Sequence, residues 1–293
     1  MTATIPKLPI VEFYITNVCN LACEHCNRFN NYRFRGWQAW QDHAAEYEQW
    51  SQLVDFEHIS ILGGEPLLNP TVLEWCEGIR RLWPRATIHL VSNGYHMNRV
   101  AGLRDVLGRN RILLYVGVHN TESHDWITDQ VQQFLGPACR KETRDANVTV
   151  WRGRASVWVE SQVDFVTSSI RRDPAGDLCL YDSDPQQAHD ACGFVRSGTH
   201  HFIRGRLYKC GPVALMPEFD SQHELKITDQ DRALLNSYRP FSAQDFADHS
   251  EQVLRAIKQP LPQCKFCPGS HDIHRIAAQP KARATTINII KRS

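Results

Sequence analysis

Seven of the ten cysteines in this 293-residue chain fall into two spaced groups. Cys19, Cys23 and Cys26 form a C-x3-C-x2-C triad in the run CNLACEHC. Three thiolates from one short loop can hold three irons of a cubane 4Fe–4S cluster and leave the fourth iron open to another ligand. A zinc site would want a fourth Cys or His. His25 could supply one, but its neighbours on both sides leave it little freedom to complete a tetrahedron. The second group is Cys192, Cys210, Cys264 and Cys267, with Gly205 between the first two in a C-x12-G-x4-C pattern. Four thiolates can fully ligate a further 4Fe–4S cluster or make a structural zinc site, and Cys179 is near enough to replace one of them. Cys76 and Cys139 fall in or near helical segments and read as small core hydrophobes.

Such loops need rigid elements to carry them. Residues 11–16, 58–62, 87–91 and 111–118 read as strands, with further strand candidates at 147–151, 156–159 and 163–167. Between them, 37–54, 70–83, 98–107 and 122–135 read as helices, Pro70 being suited to a first turn. Strands alternating with helices imply an α/β fold with a parallel sheet and crossover helices. Three patches follow strands directly: the cysteine loop, residues 63–66 (GGEP) and residues 92–94 (SNG). Sites in parallel α/β barrels form at the carboxyl ends of strands, so these loops should meet at one mouth. The rhythm breaks near residue 171, which places a boundary at about 170–190.

The triad, GGEP and SNG together resemble the radical S-adenosylmethionine (SAM) superfamily over about residues 8–170. The resemblance implies a partial (β/α)6 TIM-like barrel over 8–180 and a first cluster on Cys19, Cys23 and Cys26. It implies that Gly63, Gly64 and Glu65 contact the methionine amino group of SAM. Ser92 and Asn93 would contact the ribose, and His25 would flank the adenine. The expected chemistry is one-electron cleavage of SAM to a 5′-deoxyadenosyl radical that removes a hydrogen atom from a C–H bond; the cofactor carries the chemistry and the protein orients it. No fifth-strand cofactor motif stands out, residues 115–119 (YVGVH) being the nearest.

The second cysteine group resembles a shortened SPASM motif, the "twitch" domain. That implies a small auxiliary-cluster domain over 190–271, with Cys192, Cys210, Cys264 and Cys267 holding a second 4Fe–4S cluster near the substrate. An auxiliary cluster favours oxidation, beside isomerisation or epimerisation. Residues 272–293 carry a net charge of +4 against −3 for 1–270 and read as a basic tail.

Substrate signals are weaker. Residues 27–40 hold three arginines, five aromatics and no acid, a composition suited to phosphates and stacked bases or to a loop whose rings pack on the barrel. The leading expectation is a radical SAM enzyme acting on a small or nucleotide-like substrate, with a flavodoxin or ferredoxin as electron donor. Alternatives are a radical isomerase that hypermodifies bases in DNA, a peptide-modifying enzyme, and a non-catalytic zinc or nucleic-acid module. The first strand starts near residue 11, leaving no expected leader-binding domain ahead of it. No secretory signal opens the chain and no run of about 18 apolar residues occurs, so the expectation is a cytoplasmic protein with no membrane partner.

Overall fold

The computed structural model describes residues 5–119, 121–161, 163–270, 272–275 and 279–280. Its main sheet has nine strands: β1 (Lys7–Tyr14), β2 (Asp55–Leu62), β3 (Thr87–Ser92), β4 (Leu113–Gly117), β5 (Arg140–Thr143), β6 (Val148–Arg152), β7 (Ser156–Glu160), β8 (Thr199–Ile203) and β9 (Arg206–Tyr208). Their spatial order is β9-β8-β1-β2-β3-β4-β7-β6-β5. Strands β8, β1, β2, β3, β4 and β7 run parallel, and the antiparallel strands stand at the two ends. This is an α/β fold with a large, mostly parallel sheet. The parallel strands read as apolar runs such as HISIL and LLYVG because helices or loops cover both faces.

Helices α1 (Ala44–Ser51), α2 (Val72–Leu82), α3 (Leu103–Arg109) and α4 (His124–Leu135) link the barrel strands. The helix expected at 37–54 is halved. Its first residues form an isolated bridge between Trp37 and Thr16, the Gln38 N–H donates to the Ile15 carbonyl at 3.0 Å, and only a short turn, Trp40–Asp42, precedes α1. Helix α3 starts later than expected, because Gly102 at φ 79° breaks the chain before it.

The strand β8 lies far along the sequence, yet it joins the sheet beside β1. Its Phe202 packs on Phe13 at 5.1 Å, Trp50 at 5.0 Å and Tyr47 at 5.6 Å between ring centroids. Aromatic pairs of this kind add roughly 0.5–1.5 kcal/mol each beyond area burial, so this cluster pins β8. After β7 come α5 (Pro185–Ala191), α6 (Gly193–Ser197), α7 (Gly211–His223), α8 (Asp229–Ser237) and α9 (Ala243–Ala256). A second core forms here, joining Phe219, Leu215 and Met216 of α7 to Phe29, Phe34, Ile170 and Phe266.

Two short segments then return to the barrel. Ile273–Arg275 pairs antiparallel with Asp164–Val166, and Gln279–Pro280 pairs with Leu21–Ala22. The rest of the expected basic tail, 276–278 and 281–293, lies outside the described residues. Among the described residues no helix is long and apolar enough to cross a membrane.

Candidate active site

The chain leaves β1 at Tyr14 and runs through Thr16 into the cysteine loop. The end of β2 comes back beside it. The Gly64 N–H donates to the Thr16 carbonyl at 2.7 Å, and the Glu65 N–H to the Val18 carbonyl at 2.8 Å. A Cβ on Gly63 would lie 2.5 Å from the Thr16 carbonyl oxygen, and one on Gly64 would lie 2.4 Å from that of Val18. Backbone-to-backbone contact with the cysteine loop therefore requires both glycines, whatever ligand they also face.

Glu65 is fully buried. Its Oε1 accepts the Leu67 N–H at 3.0 Å and the Ser92 hydroxyl at 2.9 Å, and its Oε2 accepts the Asn93 N–H at 2.8 Å. Burial outweighs these donors and pushes the carboxyl up to about 7. The side chain thus braces the end of β2 against the end of β3. The Ser92 hydroxyl is occupied too, accepting the Gly94 N–H at 2.9 Å. Asn93 reaches the cysteine loop, where its Nδ2 donates to Asn20 Oδ1 at 2.9 Å and stands 3.9 Å from Cys19 Sγ.

These strand ends enclose a cavity of ≈ 200 Å³. Cys19, Cys23 and Cys26 line it with Gly63, Gly64, Ser92 and Asn93, whereas Glu65 and His25 are not part of its described lining. Tyr115, Gly117 and His119 line it from β4 and beyond. Nδ1 of His119 stands 3.8 Å from Cys23 Sγ, and burial pulls this imidazole down to about 4. His25 holds a left-handed φ of 56° and stacks on His274, with centroids 4.0 Å apart and planes 7° from parallel. His274 Nε2 is 2.7 Å from the Thr167 hydroxyl. Three thiols facing one cavity whose described lining has no carboxylate fit a cubane cluster with one open iron.

The second group also assembles. Cys192 is the N-cap of α6 and Cys210 that of α7, while Cys264 lies in the turn Pro262–Phe266 and Cys267 closes it. All four line one cavity of ≈ 380 Å³, together with Lys209. Burial, with the neighbouring thiols, pushes the Cys267 thiol up to about 12 and Cys210 well above its ordinary range. Four thiols on one cavity are the donor set that a fully ligated cluster would need; among the described residues no three His, Cys, Asp or Glu side chains are grouped so as to hold a single metal ion. Cys179 stands apart in a hairpin of Arg171–Arg172 with Leu178–Cys179, its Sγ 3.7 Å from the Arg171 carbonyl. Cys76 and Cys139 belong to the main core, as their surroundings in the sequence suggested.

Between the two groups lies a further cavity of ≈ 260 Å³. Asn27, which also lines the triad cavity, and Cys192 and Cys267, which also line the second, form part of its wall. Glu12 of β1 and Phe194 face it as well. Burial would raise the Glu12 carboxyl, but Arg28 and His201 beside it outweigh that and hold it at about 2. Arg28 ion-pairs with Glu12, and His201 Nε2 stands 2.6 Å from Glu12 Oε2.

Of the two readings of the aromatic loop, base stacking or packing, most of its rings follow packing. Phe29, Tyr32 and Phe34 surround Phe219 at 5.4, 5.6 and 5.5 Å, and Trp40 meets Trp75 at 5.2 Å. His200 is buried, with Nδ1 3.0 Å from the Lys209 carbonyl. Sequence reasoning passed over Glu12, Lys209 and His274. Glu12 did leave a signal, an acid inside the apolar run PIVEFY; Lys209 adjoins Cys210, and nothing local marks His274.

Residues 13–148 match the family model described as the Radical SAM superfamily. That match spans a little under half of the chain and contains the cysteine triad. No curated protein sequence matches the chain. Among solved structures, Streptococcus suis SuiB bound to S-adenosylmethionine is similar at 18% identity and a TM-score of 0.32, over 40% of this chain. That match covers only 26% of SuiB, about a quarter of its length. Native anSMEcpe with bound AdoMet and Cp18Cys peptide is similar at 18% identity over 44% of this chain and 40% of that one, with a TM-score of 0.33. BtrN in complex with AdoMet and 2-DOIA is similar at 17% identity over 89% of this chain and 92% of BtrN, with a TM-score of 0.46. The matched segment includes the cysteine triad and the strand ends around it; the second cysteine group lies beyond residue 148.

Proposed function

We propose that the protein is a twitch-type radical SAM enzyme that removes a hydrogen atom from a small substrate and completes an oxidation with the help of a second cluster. The observation that carries this reading is the convergence of Cys19, Cys23 and Cys26 with Gly63, Gly64, Ser92 and Asn93 on one cavity. When bound there, a 4Fe–4S cluster with one open iron supplies the electron that cleaves SAM.

The chain's own residues do the rest. Cys19, Cys23 and Cys26 hold the first cluster. The backbone of Gly63 and Gly64 forms the floor for the methionine end of SAM. Asn93 holds the ribose side against the cysteine loop, and Glu65 keeps the two strand ends in register through Ser92 and Asn93. His25 borders the adenine. Cys192, Cys210, Cys264 and Cys267 hold the second cluster, and the cavity between the groups takes the substrate.

Glu12 is the one charged side chain in the described lining of that cavity. The Arg28 guanidinium is ion-paired with Glu12, so this wall carries no unbalanced negative charge. The cavity, at ≈ 260 Å³, suits a small substrate. A flavodoxin or ferredoxin would deliver the electron.

The decisive experiment is anaerobic reconstitution followed by iron analysis and product detection. The proposal expects about eight irons per chain, from two four-iron clusters. It also expects 5′-deoxyadenosine once reductant and SAM are added. An iron-replete sample that forms none would overturn it.

A further inference from the structure

Lys209 is 4% exposed, yet it carries an ammonium into the cavity of the second cysteine group. Its Nζ donates to the carbonyls of Ile257 at 2.9 Å and Gln259 at 2.5 Å. Cys264, Cys210 and Cys192 are its electrostatic neighbours. Among the described residues it forms no ion pair with a carboxylate. A buried cation without an anionic partner is costly and is rarely retained. Among the described residues the groups poised to become its counter-charge are the thiols, which turn anionic when they ligate metal.

We infer that Lys209 is a built-in counter-ion that raises the reduction potential of a cluster held by Cys192, Cys210, Cys264 and Cys267. The inference rests on reading that group as a 4Fe–4S site. A cluster with four thiolate ligands is anionic, and accepting one electron makes it more so. A fixed positive charge nearby favours the reduced state and shifts the couple upward. The low dielectric of the site strengthens the effect, since little solvent reaches Lys209 to screen it. The two carbonyls hold the ammonium in place without neutralising it. Lys209 is thus a positioning residue for charge: it makes the second cluster a better acceptor for an electron arriving from the substrate side.

The test uses full-length protein carrying Cys19→Ala, Cys23→Ala and Cys26→Ala, so that one cluster signal remains. Iron analysis comes first. About four irons per chain are expected; none would sink the cluster reading itself and leave the charge argument without an object. Potentiometric titration followed by electron paramagnetic resonance then compares Lys209, Lys209→Gln, Lys209→Met and Lys209→Arg in that background. Lys209→Gln can still donate to the carbonyls but lacks the charge. We expect Gln and Met to shift the reduction equilibrium at least tenfold toward the oxidised cluster, about 59 mV downward for one electron, and Arg to restore it. Iron-loaded Gln and Met variants titrating with Lys209 would overturn the inference. So would loss of the cluster from all three variants, which would mark a packing role. Loss from Gln and Met with a normal Arg variant supports it.

Discussion

Ser92 donates its hydroxyl to Glu65 at 2.9 Å, joining the ends of two neighbouring parallel strands beneath the cysteine triad. The same carboxylate takes the N–H groups of Leu67 and Asn93. Glu65→Ala would leave both backbone donors buried without partners, at about 1–3 kcal/mol each. Urea unfolding should show a loss of at least about 2 kcal/mol, and no change would remove the bracing role.

Burial raises the Glu65 carboxyl to about 7 from its ordinary 4.5, so the folded state binds its proton more tightly than the unfolded state. Its stabilising contribution is complete below pH 4.5 and is lost as pH rises toward 7. A shift of this size corresponds to about 3 kcal/mol across that window. Unfolding free energies measured from pH 4 to 8 should show this slope in the wild type and not in Glu65→Gln.

Gly64 meets the Val18 carbonyl so closely that Gly64→Ala must push the cysteine loop away. The expected result is selective loss of the first cluster, with about four irons retained on the second group. Iron analysis with electron paramagnetic resonance checks this. Full occupancy of both sites would show that the loop can yield.

Cys23→Ala should abolish 5′-deoxyadenosine formation in reconstituted protein, since it removes one of three ligands of the SAM-cleaving site. Cys267→Ala acts on the other cavity and should spare part of the cleavage while uncoupling it from substrate turnover. Chromatographic quantification of 5′-deoxyadenosine separates the two. Equal loss in both variants would argue for one structural metal unit.

Phe219 sits among Phe29, Tyr32 and Phe34. Phe219→Ala should cost about 3–5 kcal/mol, as for other buried aromatics. The aromatic loop then counts as core. Gel-shift titrations at low salt with single-stranded and duplex DNA should find no binding; tight salt-dependent binding would restore a nucleic-acid role.

Sequence alone was enough to name the local devices. The triad spacing, Gly63-Gly64-Glu65-Pro66 and Ser92-Asn93-Gly94 are short, and each follows an apolar strand, so composition and periodicity expose them. The alternation of strand and helix through residue 135 was legible for the same reason. Tertiary structure decided what requires chain segments distant in sequence to meet. The second group comes from α6, α7 and the turn Pro262–Phe266, and only folding brings Cys192 to Cys264. Strand β8 looked like part of a separate unit; parallel pairing of Thr199–Ile203 with β1 and the packing of Phe202 place it in the main sheet. The aromatic loop had two sequence readings, and the partner that favours packing, Phe219, lies on α7. Glu12 and Lys209 carry charges whose importance depends on burial and neighbours, and those are properties of the folded chain.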